Sequence, residues 1–102
     1  GGVALGIGGA LMEQLFYDDD GQPLSTNFMD YLIPAVGNMP EMTVEHMAVP
    51  TPLNPDGMKG AGEGGAVGSP AAIANAVADA VGCRVFELPI TADRVYKALR
   101  DS

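Results

Sequence analysis

The sequence has few of the residues that build a large hydrophobic core or bind nucleic acid. Tryptophan is absent and only six of the 102 residues are aromatic, so the core that the chain can form by itself is thin. Five Lys and Arg stand against thirteen Asp and Glu, which gives a formal net charge of −8. Because sequence-independent binding to phosphate backbones depends on clustered cations, we expect no nucleic-acid partner.

Long apolar runs and paired cysteines are also missing. No run reaches the roughly 18–20 apolar residues that cross a bilayer, so we predict no membrane span. The single cysteine, Cys83, can form neither an internal disulfide nor a thiolate metal site. The three aspartates 18–20 lack the alternating ligands of a calcium loop and fit a solvated turn better. We therefore predict no metal-ligating side chains, and a cytoplasmic protein.

What the chain does contain is apolar but discontinuous. Apolar residues make up 47% of it, with a mean hydropathy of +0.15, which argues against disorder. Fourteen glycines and eight prolines interrupt regular structure. The chain begins at Gly1 rather than at methionine. These features favour a piece of a larger protein or a subunit that needs its neighbours, and the alternative is a small processed domain.

The order of patterns predicts an α+β fold, a small mixed sheet with about three helices in one domain over residues 1–102. A helix comes first, then a hairpin around Asp20-Gly21 and a strand over 42–49. A proline-rich stretch leads to a glycine loop. Ser69-Pro70 begins the next helix, which Gly82 ends. A strand over 85–90 and a helix capped by Thr91 follow, with Ala92, Val95, Tyr96 and Leu99 as its buried stripe.

The first helix combines an apolar face with an unusual number of glycines. Val3, Ile7, Leu11 and Leu15 recur every four residues, which predicts that they share one helix face. Each glycine costs roughly 1 kcal/mol relative to alanine in a helix. Such glycines permit either close packing against a neighbouring element or close approach of a ligand, and composition favours packing.

The most informative segment spans residues 57–68, where six of twelve positions are glycine and Glu63 is the only acid. Backbone amides at a helix start, with Lys59 nearby, favour anionic oxygens. A carboxylate kept out of water beside a ligand suits general base catalysis. Alternatively, Glu63 caps amides or pairs with Lys59. Residues 60–65 formally match G-x-G-x-x-G, but no strand precedes them, so we expect no dinucleotide fold.

Ordered motifs along nearly the whole chain carry a family resemblance. They are Gly1-Gly2-x-x-x-Gly6-Ile7-Gly8, Tyr17-Asp18-x-x-Gly21, Asn27-Phe28-x-Asp30-Tyr31-x-Ile33-Pro34, Met39-Pro40-Glu41, Gly57-x-Lys59-Gly60-x-Gly62-Glu63, Pro70-Ala71-Ala72-Ile73-Ala74-Asn75-Ala76 and Leu88-Pro89-x-Thr91. With these motifs the chain resembles the C-terminal part of the large, molybdopterin-binding subunit of the xanthine dehydrogenase and aldehyde oxidase family. It looks closest to the carbon monoxide dehydrogenase-like branch.

The resemblance implies a molybdenum–pterin cofactor, in the cytosine dinucleotide form of bacterial members. FAD and [2Fe-2S] clusters would lie on a medium and a small partner subunit. Glu63 falls on the family's active-site glutamate, which takes a proton as a hydroxyl attacks the substrate carbon. Leu5 stands where many members carry a glutamine that hydrogen-bonds the pterin, and it has no amide for that contact. The positions that would face the cofactor are Gly2, Gly6, Lys59, Gly60, Ala61 and Gly62.

Two functional hypotheses follow. In the first, the chain is part of a molybdenum hydroxylase that uses water as the oxygen source to hydroxylate an aldehyde or an N-heterocycle, or oxidises carbon monoxide. The remainder of the large subunit is then a partner, and the isolated chain is inactive. In the second, the chain is a non-catalytic interaction or structural module derived from that fold.

Overall fold

A computed structural model describes all residues of the chain, 1–102, as four α-helices joined by long irregular segments. Helix α1 spans Gly2–Leu11, α2 spans Gly64–Val67, α3 spans Ser69–Val81 and α4 spans Ala92–Asp101. A single 3₁₀ turn lies at Val36–Asn38. The longest helix has 13 residues, and no helix has the length and apolarity to cross a membrane.

The structure contains no sheet, so the predicted α+β class with a small mixed sheet is wrong. The only β-type pairing is one isolated antiparallel bridge between Tyr17 and Pro23. Residues 40–50 make no hydrogen bond at all within the chain. Alternating apolar residues predict which side chains of a strand share a face. A strand in a sheet also needs a second strand that pairs with its backbone amides and carbonyls. No second strand lies within the chain.

The predicted turn at Asp20-Gly21 is confirmed, although the strands on either side of it do not extend beyond the bridge. Gly21 has a φ of +80°, which favours glycine. The Asp18 carboxylate accepts hydrogen bonds from the amides of Asp20 at 3.0 Å and Gln22 at 2.8 Å. Local side-chain to backbone bonds therefore form this turn without help from a sheet.

The two helices that follow capping signals are confirmed. Helix α3 begins at Ser69 and ends before Gly82. Gly82 has a φ of +77°, and its amide donates a hydrogen bond to the Ala78 carbonyl, which closes the last turn. Helix α4 begins after Thr91, whose hydroxyl accepts from the Arg94 amide at 3.4 Å. The predicted cap at Ser69 is wrong in detail, because its hydroxyl donates to the Gly65 carbonyl at 2.7 Å instead.

Helix α1 buries its small residues, not its large ones. Gly6, Gly8 and Ala10 are buried, whereas Val3 and Leu11 are more than a third exposed. Leu15 lies beyond the end of the helix. The predicted face is therefore wrong for Leu15, and its other members stay partly exposed, because α2 and α3 approach α1 on the side where the absence of side chains lets backbones meet.

The chain has almost no core of its own. Only five residues are buried, namely Gly6, Gly8, Ala10, Pro89 and Ile90. The radius of gyration is 17.5 Å, against about 13 Å for a compact domain of this length. The predicted buried stripe of α4 is also wrong, since Tyr96 is 65% and Leu99 46% exposed.

Candidate functional site

The glycine loop begins at a turn that Asn54 and Gly57 build. The Asn54 amide group donates to the Met58 carbonyl and accepts from the Met58 amide, both at 2.9 Å. Gly57 has a φ of +67°, and a Cβ there would lie 2.6 Å from the Cβ of Pro50. Thr51 donates its amide to the Gly57 carbonyl at 3.1 Å. These contacts therefore fix the direction in which the backbone continues from Met58 to Lys59.

Beyond this turn the backbone amides have no acceptor within the chain. The seven amides of residues 59–65 donate no hydrogen bond to any backbone or side-chain atom. Because backbone donors in folded proteins are nearly always paired, such a run is a surface on which an oxygen-rich ligand or another part of the protein can lie.

The glycines of this loop leave open space rather than filling a contact. A Cβ at Gly60, Gly62 or Gly64 would meet no atom within 4 Å. Packing inside the chain therefore does not require glycine at these positions. The missing side chains leave the backbone bare toward whatever lies outside the chain.

Glu63 lies at the end of this bare stretch, immediately before α2. Its carbonyl accepts from the amides of Ala66 at 2.9 Å and Val67 at 3.1 Å. Its side chain caps no amide and forms no ion pair with Lys59, so neither alternative role occurs within the chain. The carboxylate is exposed, and the glycine loop does not by itself keep it out of water.

Gly2 and Gly6 lie where α1 contacts the loop and α3. A Cβ at Gly2 would lie 3.1 Å from the Cα of Gly65, and a Cβ at Gly6 would lie 2.5 Å from the Cβ of Ser69. The packing interpretation of these glycines is thus confirmed. Their predicted proximity to a pterin stays a prediction.

An open cleft of about 470 Å³ runs beside Lys59. Lys59 and Asp56 supply charge to it, and Met47, Val49 and Pro50 supply much of its apolar wall. Glu63 lines none of the clefts of the chain. The structure therefore brings Lys59, Gly60, Ala61, Gly62 and Glu63 together as one continuous surface, but it encloses no pocket around the acid.

Sequence reasoning missed three residues that shape this surface. Asn54 fixes the entry to the loop, and Gly65 and Ser69 join the loop to α1. The run Asn54-Pro55-Asp56-Gly57 is typical of a turn and could have revealed the first. Nothing local indicates that Gly65 packs against a helix more than 60 positions earlier in the chain.

Comparison with known proteins gives this geometry a context. Residues 1–40 match the sequence model of the molybdopterin cofactor-binding domain. The chain is 41% identical, over 98% of its length, to the large subunit of nicotine 6-hydroxylase from Paenarthrobacter nicotinovorans. It is 35% identical, over 99% of its length, to the large chain of carbon monoxide dehydrogenase from Hydrogenophaga pseudoflava. The chain belongs to the xanthine dehydrogenase and carbon monoxide dehydrogenase family of molybdenum-binding large subunits.

Within this family the chain corresponds to a small part of each relative. It spans 13% of the length of the nicotine 6-hydroxylase and carbon monoxide dehydrogenase subunits. The crystal structure of quinoline 2-oxidoreductase from Pseudomonas putida 86 matches 98% of the chain with a TM-score of 0.89 and 37% identity, and this match covers 13% of that protein. The resemblance inferred from the motifs is confirmed. The extended, coreless shape is thus the shape that a matching segment adopts inside a longer chain of the family.

Proposed function

We propose that this chain is the part of a molybdenum hydroxylase large subunit that supplies the catalytic base, Glu63, and a cofactor-facing loop, residues 59–62. The observation that carries the proposal is the run of seven unpaired amides, residues 59–65, that includes Glu63 with its unpartnered carboxylate, in a chain of this family. A carboxylate without an internal partner is free to exchange a proton with a reacting group.

The residues present fit a molybdenum–pterin cofactor, for which we favour the cytosine dinucleotide form. Unpaired amides and the Lys59 ammonium group suit the phosphate and ring oxygens of such a group. The open space at Gly60 and Gly62 allows the ligand to reach the backbone. When bound, the cofactor accepts the two electrons of substrate oxidation. The Glu63 carboxylate takes up a proton as the water-derived oxygen attacks the substrate carbon.

The remainder of the large subunit is the first partner that we propose. The accessible surface of the chain is 7964 Å², about 2,500 Å² more than a compact protein of its mass exposes. Met47, Leu53 and Phe86 are each at least 89% exposed. This excess of total accessible surface is larger than one side of a standard protein–protein interface, about 800 Å². Contact with the rest of the subunit would cover it and would close the site around Glu63.

The further partners follow from the proposed reaction. Electrons taken from the substrate must leave the large subunit, and we assign this transfer to a [2Fe-2S] small subunit and an FAD-binding medium subunit in a cytoplasmic complex. For the substrate we favour an N-heterocycle over an aldehyde or carbon monoxide, because the relatives named above at 41% and 37% identity are named for nicotine and quinoline. A substrate panel of pyridines, quinolines, aldehydes and carbon monoxide tests this choice.

Replacement of the acid tests the proposal. In the complete enzyme, Glu63→Gln keeps the shape of the side chain and removes the proton acceptor. We expect kcat per bound molybdenum to fall by about 10²–10⁴, the usual range for a general base. Glu41→Gln is the matched control, since Glu41 is also exposed and unpaired. Near-normal turnover of Glu63→Gln would contradict the proposal.

The stand-alone module is the weaker hypothesis. A module that works alone needs a core that holds it together, and five buried residues do not provide one. Exposed apolar side chains over most of its length would also make a free module prone to aggregate. A folded, monomeric chain with no affinity for the rest of the large subunit would favour this alternative.

A further inference from the structure

The position of Glu63 depends on a contact between two helices that meet backbone to backbone. Gly65 of α2 lies against the first turn of α1, where a Cβ on Gly65 would come within 3.0 Å of the Val3 amide nitrogen and 3.1 Å of the Gly2 carbonyl carbon. These are backbone atoms, which cannot rotate away as the end of a side chain can. A Cβ at position 65 would therefore require the backbone of α1 to move away by a few tenths of an ångström.

A second contact, one turn further along α1, joins α1 to the start of α3. Gly6 faces Ser69, and a Cβ on Gly6 would lie 2.5 Å from the Ser69 Cβ and 3.0 Å from the Ala66 carbonyl oxygen. The Ser69 hydroxyl in turn donates to the Gly65 carbonyl at 2.7 Å. The start of α3 is thus joined both to α1 and to the turn that contains Gly65.

These two contacts affect the position of Glu63 through the main chain that connects it to Gly65 and Ser69. The Glu63 carbonyl accepts the amides of Ala66 and Val67, so its backbone belongs to the turn that Gly65 and Ser69 fasten to α1. The Glu63 side chain has no hydrogen bond that would orient it independently. Within this chain, the position of the carboxylate is therefore set by the backbone of Glu63 alone.

We propose that Gly6 and Gly65 are positioning residues for Glu63, because their contact with Ser69 and with the first turn of α1 sets where the carboxylate stands. The inference rests on the proposed function of Glu63. A methyl group at either position forces α1 and the α2 turn apart and moves the acid, while the substrate pocket elsewhere in the enzyme is left as it was. The substitution should then lower kcat more than it weakens substrate binding.

The test compares two glycines that are in contact with two that are not. Gly6→Ala and Gly65→Ala are made in the complete enzyme beside Gly9→Ala, on the same helix as Gly6, and Gly68→Ala, next to α2. A Cβ at Gly9 or Gly68 would meet no atom within 4 Å. Expressed per bound molybdenum, kcat should fall on the order of tenfold to a hundredfold in the first pair, the scale of a small misplacement of a catalytic group. KM should change less than about twofold, and the control pair should behave as wild type.

A rescue variant separates positioning from general damage. Ser69→Gly removes the Cβ that a methyl group at position 6 would strike, and it also removes the hydroxyl that donates to the Gly65 carbonyl. Gly6→Ala should therefore lower kcat less when it is added to Ser69→Gly than when it is added to the wild type, so that the double variant recovers part of the loss. Hydrogen exchange at the amides of Ala66 and Val67, which donate to the Glu63 carbonyl, should be faster in Gly6→Ala and Gly65→Ala than in Gly9→Ala. Neither readout depends on how much folded enzyme each variant yields.

The outcomes distinguish this inference from the proposed function. If Glu63→Gln lowers turnover but Gly6→Ala and Gly65→Ala match Gly9→Ala and Gly68→Ala, the positioning inference is overturned and the proposed function stands. If Glu63→Gln has wild-type turnover, the proposed function falls, and the positioning of a base falls with it. A kcat loss without a change in KM, together with recovery in the double variant, supports the inference.

Discussion

Asn54 holds the backbone of Met58 with both atoms of its side-chain amide, donating to the Met58 carbonyl and accepting from the Met58 amide at 2.9 Å each. A single side chain thereby satisfies both backbone hydrogen-bonding groups of Met58, as a neighbouring strand would in a sheet. Since Met58 directly precedes Lys59, these two hydrogen bonds fix where the loop 59–62 begins, which we propose faces the cofactor.

Loss of one of these two hydrogen bonds should loosen the loop. Asn54→Asp keeps the acceptor for the Met58 amide but removes the donor and sets an anion against the Met58 carbonyl oxygen. A lost hydrogen bond is worth roughly 0.5–1.5 kcal/mol, so we expect faster hydrogen exchange at the amides of Gly57 and Met58 and a loss of about threefold to tenfold in kcat of the complete enzyme.

Asn38 provides the control for that variant. Its side chain only accepts, from the Ala35 amide at 2.9 Å, so Asn38→Asp keeps its bond and should leave exchange and turnover unchanged. Equal behaviour of Asn54→Asp and Asn38→Asp would show that the hydrogen bond donated by the Asn54 side chain has no part in ordering the loop.

The Tyr31 hydroxyl donates to the Glu13 carboxylate at 2.6 Å and ties the segment after the turn to the end of α1. This hydrogen bond, followed by desolvation and the negative charge of Glu13, raises the pKa of Tyr31 above its ordinary value of 10.0. A group whose pKa is raised on folding stabilises the protein below its unfolded pKa, and that contribution disappears as the pH rises through the folded pKa.

The stabilisation due to Tyr31 should therefore be constant at neutral pH and fall above about pH 10. The measurement is the difference in thermal unfolding midpoint between the complete wild-type subunit and Tyr31→Phe, recorded from pH 7 to pH 11 (for example in steps of half a unit). A difference that does not change across this range would mean that the Tyr31–Glu13 bond does not contribute to stability in the assembled protein.

The isolated 102-residue chain should not unfold cooperatively. With Phe28 and Met29 80% and 88% exposed and almost no buried residues, it lacks the packed interior that makes unfolding all-or-none. We expect calorimetry of the isolated chain to show no transition with the heat-capacity change of a folded domain, about 12–15 cal/mol/K per residue. A sharp transition of that size would show that the chain folds without the rest of the subunit.

The sequence predicts best what depends on neighbouring residues. Gly82 and Thr91 mark their helix ends because their capping bonds lie within a few positions. The Asp20-Gly21 turn is recognisable for the same reason.

Features that depend on distant contacts were predicted poorly. Residues 42–49 have a strand's composition but no pairing strand in the chain, and the apolar residues of α4 have nothing to pack against. The glycines of α1 indicated close packing, but the elements that pack there, α2 and α3, could not be identified, because they lie more than 50 positions away and meet bare backbone, which hydrophobic periodicity does not detect.

The site shows the same division. The resemblance and the glycine pattern both single out Glu63, and the structure adds that its side chain is unpartnered and that the adjoining amides are unpaired. Burial of the acid was expected from the loop, yet the chain leaves it exposed. We propose that the rest of the large subunit excludes water from Glu63, because the residues of this chain leave its carboxylate exposed.

The most direct test of Glu63 as the base is the rate of a single anaerobic turnover in the complete enzyme, because this rate excludes electron transfer to an external acceptor. At saturating substrate, we expect the substrate to reduce the redox centres of the Glu63→Gln enzyme about 10²–10⁴ times more slowly than those of the wild-type enzyme. Molybdenum content and substrate affinity should stay unchanged. Reduction of Glu63→Gln at the wild-type rate would contradict the account, since the chemical step would then proceed without the proton acceptor on which it depends.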